Sequence, residues 1–294
     1  MNSIDPVGLA NTVFGGALLG GLIALSAVGL SLVLGVMKLV NLVHGQIVVL
    51  GAFLAYYLSA FWGISPLLAL PIVFVLGFAL TAPIQHFILA PVARHGEEAG
   101  LLTTFALAII LENVFIRLFS GDSRSLDTAF SRETIAIGPI NLPTIYLIGF
   151  VISLAVCVAV SALVTRTSFG RSLRASSEDP ISAAIVGIHV SRVRWGTFAL
   201  NGGLSALGGV LIALCFSFTP SSGSEYLLTA FTIIVLGGLG NIMGTFVGGI
   251  ALGVLQSMGA YFLGDGYRTF VGLIMLIILL ALAPNGILKW RRSS

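Results

Sequence analysis

An acidic residue buried in an apolar run is the first place in this sequence where chemistry could reside. Glu112, in FALAIILENVFIRLF, lies well inside such a run, and a charge among hydrocarbon is costly enough to demand a partner or a function. Arg117 follows at an i, i+5 offset, which does not put the two on one helical face. Glu112 is therefore expected to face another helix or a cavity, either as a structural carboxyl near the headgroups or as part of a pathway. Two further segments combine polar residues with glycine: GVMKLVNLVHGQIVVLGAFLA from Gly35 and GGLGNIMGTFVGGIALGVL from Gly237. Asn41 precedes Gly45 by four residues, and Asn241 precedes Gly244 by three. Apolar segments interrupted in this way point to a solute path, because broken helices turn backbone polar groups toward a cavity. Equally, the glycines could serve close helix packing, although packing alone does not require the asparagines. His44 and Gln46 flank Gly45 and could hydrogen-bond a passing ligand or neighbouring helices.

No catalytic set accompanies them. The sequence has no HExxH, no nucleophile elbow and no GxxxxGK[ST] phosphate loop, so it offers no means of its own to hydrolyse a nucleotide. His44 has no second His or Cys at ligand spacing, and neither a metal nor a cofactor is expected. Cys157 and Cys215 both sit in apolar stretches and read as small apolar side chains.

The elements that must position these residues follow from composition. Of 294 residues, 57% are hydrophobic and 9% charged, with a mean hydropathy of +1.08. That leaves too little polar surface to coat a water-soluble globule, so lipid takes up most of the apolar surface. Lipid offers the backbone no hydrogen-bond partners, which leaves helices or a closed barrel. The long continuous runs exclude the alternating pattern of barrel strands. The fold is expected to be all-α: a polytopic integral membrane protein of eight or nine transmembrane helices forming a single domain over 1–294. Spans are expected at 13–34, 42–60, 67–89, 101–119, 145–164, 195–216, a short 228–239, 242–262 and 270–283. The N-terminal MNSIDPVGLANT lacks a signal-peptide n-region.

Basic residues sit in alternate loops: Lys38, then Arg94, then Arg166, Arg171, Arg174, Arg192 and Arg194, then Lys289, Arg291 and Arg292. They are read as reporting orientation, with no binding of nucleic acid, and place those loops in the cytoplasm. The N-terminus is then outside and the C-terminus inside, which favours nine crossings. The external loop 120–143 is rich in turn residues. The cytoplasmic loop 165–194 predicts a short surface helix from Pro180 to about Val186: Asp179 supplies the cap, Pro180 the first helical position, and Gly187 the left-handed stop. Its apolar sequence PISAAIV is either a docking knob for a partner or a segment lying on the bilayer or on the protein itself.

Three stretches carry a resemblance. GLSLVLGVMKLVNLVHGQIVVLGAFLAYYL, GRSLRASSEDPISAAIVGI and IVLGGLGNIMGTFVGGIALGVLQ resemble the LivH-type permeases of branched-chain amino acid importers, and the likeness extends over nearly the whole chain. It implies a permease subunit in the bacterial inner membrane, working with a second homologous permease, two cytoplasmic ATP-binding subunits and an external solute-binding protein. It also implies that Arg171, Arg174, Glu178, Asp179, Pro180, Ala183, Ala184 and Gly187 form the coupling element to the ATPase. Asn41, His44, Gly45, Gln46, Glu112, Asn241 and Gly244 would then line the path for branched-chain amino acids or a related small polar solute such as urea or an amide. The sequence departs from the family pattern at Lys38 and at Gln46, where a small and an acidic residue are commoner. The alternative is a self-contained ion-coupled secondary transporter or channel, which would need several intramembrane sites for its coupling ion.

Overall fold

The computed structural model describes residues 5–37, 40–92 and 95–282. Lys38, Arg94 and the basic cluster at 289–292 lie outside them, so the departure at Lys38 has no structural counterpart here. The described chain is a helical bundle: α1 (Pro6–Met37), α2 (His44–Trp62), α3 (Pro66–Pro83), α4 (Ala90–Val92), α5 (Glu97–Phe119), α6 (Thr144–Arg166), α7 (Ser168–Glu178), α8 (Pro180–Ile185), α9 (Val190–Ala213), α10 (Gly223–Gly237), α11 (Ile242–Leu263) and α12 (Arg268–Leu282). A π-helical stretch, Ile84–Leu89, joins α3 to α4 directly after Pro83, where proline removes a hydrogen bond and widens the turn.

Seven helices among the described residues are long and apolar enough to cross a membrane, the third being the joined stretch Pro66–Val92. α10 and α12 account for the two remaining expected segments, with 15 residues each. That is about 22 Å of helix against a hydrocarbon layer of about 30 Å. α10 begins five residues earlier than the sequence suggests, at Gly223.

Packing relies on backbone approach. α1 and α11 meet through Gly16 and Gly20 on one side and Gly249 and Gly253 on the other; a Cβ at any of the four would strike the facing backbone or side chain. Without a hydrophobic drive between helices in lipid, such close contact is a principal source of association. α9 is the most enclosed helix, with nearly every residue from Thr197 onward buried. Its Gly202 and Gly203 face Thr81 and Phe74 of α3, Gly208 faces Ser26 of α1, and Gly209 faces the Val48 carbonyl of α2.

One end of the bundle is closed by aromatic rings. Phe53 stacks on Phe119 at 4.3 Å and meets Phe218 edge-on at 5.0 Å. Arg124 places its guanidinium 4.8 Å over the Tyr56 ring and exchanges backbone hydrogen bonds with Phe218. The loop 120–143 does contain regular structure: strands β1 (Thr134–Ile137) and β2 (Ile140–Pro143) pair antiparallel with Ile137 opposite Ile140. Gly138, at φ 62°, gives the tight connection its required positive φ.

At the other end α7 was not foreseen. Thr167 caps it by accepting from the Gly170 amide at 3.2 Å, Leu173 packs with Val36 and Val193, and Arg174 donates to the Val164 carbonyl at the end of α6. Gly170 is pressed so closely on the Val164 backbone that no Cβ would fit.

Candidate functional site

α2 starts at His44, and residues 40–43 before it lie outside any helix. The Val40 carbonyl is met by the Thr104 hydroxyl of α5 at 3.3 Å. Asn41 and His44 are fully buried, and Gln46 nearly so. His44 Nδ1 lies 3.0 Å from the Ser205 hydroxyl of α9, which in turn donates to Asn201 Oδ1 at 3.0 Å. With the serine proton on Asn201, Nδ1 is the imidazole donor and Nε2 is left as an acceptor. Gly29 of α1 leaves the room this chain of bonds occupies, since a Cβ there would meet Asn201 Oδ1 at 2.8 Å. Both side-chain polar atoms of Asn41, His44 Nε2, Gln46 Oε1 and Asn201 Nδ2 are buried with no hydrogen-bond partner among the described residues. Groups of this kind are costly to bury and belong where structure or function requires them.

Gln46 Nε2 reaches Glu112 Oε2 at 3.4 Å, so Glu112 faces another helix rather than Arg117. Gly45 is packed against the backbone of Gly223, the first residue of α10. The structure thus brings Asn41, His44, Gly45, Gln46 and Glu112 together where α2, α5, α9 and α10 meet. It does not bring Asn241 and Gly244 into that group. Asn241 caps α11 by accepting from the Gly244 amide at 3.0 Å, and Thr245 donates to Ser31 of α1 at 3.1 Å. Gly244 packs against the backbone of Gly237. α1 links the two groups, with Gly29 toward one and Ser31 toward the other.

A cavity of about 220 Å³ opens between α1, α9, α10, α11 and α12. Ile23, Ile212 and Phe216 give it an apolar wall, while Glu225, Thr229, Gln256, Arg268 and Thr269 form the polar one. Phe216 lies past the end of α9 and Arg268 is the first residue of α12, so the cavity runs from the ends of those helices inward to Ile23 of α1. Glu225 accepts from the Thr269 hydroxyl at 2.9 Å. Arg268 pairs with exposed Asp265 at 3.1 Å and lies 5.9 Å from the Phe216 ring. A second cavity of about 200 Å³ shares Glu225, Thr229, Gln256 and Thr269 with the first and adds Thr232 and Gly272. Glu225, Thr229 and Thr232 follow one another at i, i+4 and i+7 along α10 and form a polar stripe on one face. Neither they nor Gln256 and Arg268 stand among the residues expected from sequence as site residues. The spacing in EYLLTAFT and the lone glutamine inside an apolar span were the available signals.

The second candidate site is the α7–α8 corner. Asp179 Oδ1 accepts from the amides of Ile181 and Ser182 at 2.9 and 3.2 Å, and its other oxygen accepts from the Ser182 hydroxyl. The Ser182 hydroxyl, followed by the Ser182 and Ile181 amides, holds the Asp179 carboxyl below its ordinary value. Pro180 opens the helix, which runs Pro180–Ile185 as the sequence predicts, and Gly187 turns out of it at φ 89°. Ala183 is turned inward, 3% exposed, whereas Ile181, Ile185 and Val186 are 75%, 80% and 75% exposed. Ala184 and Arg171 are exposed as well. The Arg174 side chain is committed to the Val164 carbonyl.

Comparison with known proteins places the chain among relatives. A family model described as branched-chain amino acid transport system / permease component matches residues 12–282. The chain is 27% identical over 292 residues to the probable branched-chain amino acid transport permease protein LivH of Methanocaldococcus jannaschii, covering 95% of this chain and 92% of that one. It is 27% identical over 290 residues to the high-affinity branched-chain amino acid transport system permease protein LivH of Salmonella typhimurium, covering 94% of each. It is also 25% identical over 273 residues to the ribose import permease protein RbsC of Haemophilus influenzae, covering 89% and 81%.

Proposed function

This chain belongs to the family of permease components of branched-chain amino acid transport systems, and on that premise we propose that it carries branched-chain amino acids or a related small polar solute through a multi-pass assembly driven by separate ATPases. It is a transmembrane permease subunit of an ATP-binding-cassette importer, which sets aside the self-contained ion-coupled carrier. The proposed assembly holds a second homologous permease, two cytoplasmic ATP-binding subunits and an external solute-binding protein. It sits in a bacterial inner membrane with the N-terminus outside and the C-terminus in the cytoplasm.

The observation that carries the coupling part of this reading is α8. Two large apolar side chains, Ile181 and Ile185, stand exposed on a six-residue helix, with Val186 exposed just after it; the helix start is fixed by Asp179 and Pro180 and its inner face is anchored by Ala183. α7 ties this corner to α6 through Arg174 and Gly170 and to α1 and α9 through Leu173. A push on α8 therefore reaches the membrane helices through packed contacts, as a two-state rocking motion requires. We place Arg171, Glu178 and Ala184 around the same contact with the ATPase.

Asn41, His44, Gly45, Gln46, Glu112, Asn241 and Gly244 are proposed to lie on the path where interrupted helices meet. Opening there would offer the unpartnered amide groups of Asn41 and Asn201 to solute or water. The test is co-purification: the chain with an intact α8 is expected to retain its ATPase subunits in detergent. Replacing both Asp179 by Ala and Pro180 by Gly is expected to release them while the chain still inserts. Retention of the ATPases by that double variant, with undiminished uptake, would remove the coupling role.

A further inference from the structure

We propose that the outward face of α5 is a dimer interface occupied by a second copy of this chain. The two α5 helices run parallel, with Asn113 facing Asn113 of the partner subunit and Glu112 paired with Arg117 of the partner subunit. The inference goes beyond the importer reading and does not depend on it, because it concerns how two copies of the chain meet in a bilayer. Within an importer, that copy would take the place of the second permease.

α5 is the least buried of the seven membrane-length helices among the described residues. It meets the rest of the chain along one side, where Thr104 and Phe115 are buried and Glu112 bonds Gln46. The opposite side carries Leu102, Ala106, Ile109, Asn113 and Ile116, all exposed. Steps of four, three, four and three residues keep these side chains in a single stripe, the spacing with which two helices wind round each other. In a lone chain the whole stripe faces lipid, which suits every member except Asn113. α5 has 23 residues and so spans about 34 Å against about 30 Å of hydrocarbon. Asn113 stands one and a half turns before its end at Phe119, about 9 Å inside. Its Nδ2 donates to the Ile109 carbonyl of its own helix at 2.8 Å, which leaves its second N–H and its Oδ1 unanswered among the described residues. One amide answers another, donor to acceptor in both directions, and a single Asn in such a stripe fixes a pair of helices in register. Ala106, one heptad earlier, lets the backbones approach. Two copies inserted the same way are related by a two-fold axis along the membrane normal, so their α5 helices run parallel. Charge points to the same occupant. Glu112 and Arg117 flank the stripe, one on each side. Their offset of five residues keeps them apart within one chain, but across a parallel, in-register pair it brings one flank of each helix to the opposite flank of its neighbour. Glu112 holds Gln46 through Oε2 at 3.4 Å and has its other oxygen to offer, while Arg117 is exposed with no carboxylate partner among the described residues. Lipid tails answer neither charge. A second copy answers both, once on each side of the seam.

The test uses the full chain expressed alone in membranes, with Cys157 and Cys215 replaced by Ser. Single cysteines are introduced as Ala106→Cys, Ile109→Cys and Ile116→Cys on the stripe and as Val151→Cys on α6, and the membranes are oxidised with copper phenanthroline. The three stripe positions are expected to give a disulfide-linked dimer, whereas Val151→Cys, at a site no less exposed than Ile109 or Ile116, is not. In detergent the dimer dissociation constant should rise about three- to thirtyfold with Asn113→Ala, the loss of one hydrogen-bonded pair between membrane helices. Arg117→Glu should weaken the dimer as well, and combining it with Glu112→Arg should restore it, a recovery that a role confined to one chain does not produce. Should a charge variant fail to insert, the cross-linking pattern, obtained with both charges in place, decides alone. Absent cross-links along the stripe, equal cross-linking from Val151→Cys, cross-links that form only with a different permease present, or an inserted double variant no better than Arg117→Glu overturns the assignment. Because no ATPase is present, the result is independent of the importer reading.

Discussion

Gly45, the second residue of α2, lies directly against the backbone of Gly223, the first residue of α10. Two helices thus begin at one point inside the bundle, and neither glycine has room for a methyl group. Gly45→Ala is expected to force the two starts apart, at an overpacking cost of about 1–3 kcal/mol. The check is thermal unfolding of the purified chain in detergent beside Gly63→Ala, which changes a glycine with open space around it but a left-handed backbone. A Gly45→Ala protein as stable as wild type would mean that the helix starts are free to separate.

The exposed side chains of α8 make a separate prediction. Ile181→Ser, Ile185→Ser and Val186→Ser together remove apolar surface that no part of the described chain covers. Membrane insertion and thermal stability are expected to stay unchanged, since surface substitutions away from packed features usually move stability by less than about 0.5 kcal/mol. ATPase retention should fall sharply. If instead the triple variant loses stability while still holding its ATPases, α8 packs on the protein's own surface.

The cap on α8 has a pH signature. The Asp179 carboxyl is lowered in the folded chain by the Ser182 hydroxyl and by two amides. Its contribution is therefore complete above the unfolded carboxylate value and is lost as pH falls through the lower, folded value. Amide protection at Ile181 and Ser182 is expected to hold through neutral and mildly acidic solution and to fade only below the ordinary carboxylate range. Asp179→Asn keeps a capping oxygen and should abolish that acid dependence; hydrogen exchange read by mass spectrometry makes the comparison.

Glu112 and Gln46 allow a conservative test of the path. Glu112→Gln preserves a hydrogen-bonding group beside Gln46 Nε2 while removing the charge. Uptake by the complete importer, normalised to membrane expression, is expected to drop if the charge belongs to the path. Unchanged uptake leaves Glu112 as a structural partner of α2.

Ser205→Ala removes the hydroxyl that links His44 to Asn201. It leaves a buried ring nitrogen unpaired, at a cost of about 1–3 kcal/mol. The unfolding midpoint in detergent should fall accordingly, and Ser205→Thr, which keeps the hydroxyl, should recover part of it.

What the sequence made legible was local. Asp179, Pro180 and Gly187 define α8 by capping chemistry acting over a few residues, and the structure places the helix within one residue of that expectation. Long apolar runs likewise announce their helices. α7 escaped because its charged and small residues lack the apolar continuity of a span, and its anchoring to Val164, Val36 and Val193 exists only once the chain has folded. The cavity escaped for a related reason. Glu225 and Arg268 stand just outside the apolar runs expected at 228–239 and 270–283. Glu225 comes to share a cavity with Gln256 and Ile23 only once α10 starts at Gly223, against Gly45 of α2, and Arg268 joins them from the start of α12.

The pairing of α1 with α11 has a mechanical consequence. Two rods pressed backbone to backbone at Gly16, Gly20, Gly249 and Gly253 have no side-chain cushion along which to slide, so they act as one keel. Ile23 and Gln256 are mounted on that keel, and α10 is fastened to it at its far end, where Gly237 meets the Gly244 backbone and Gly248 meets the Ile233 carbonyl, so a load applied there is borne by the three helices together.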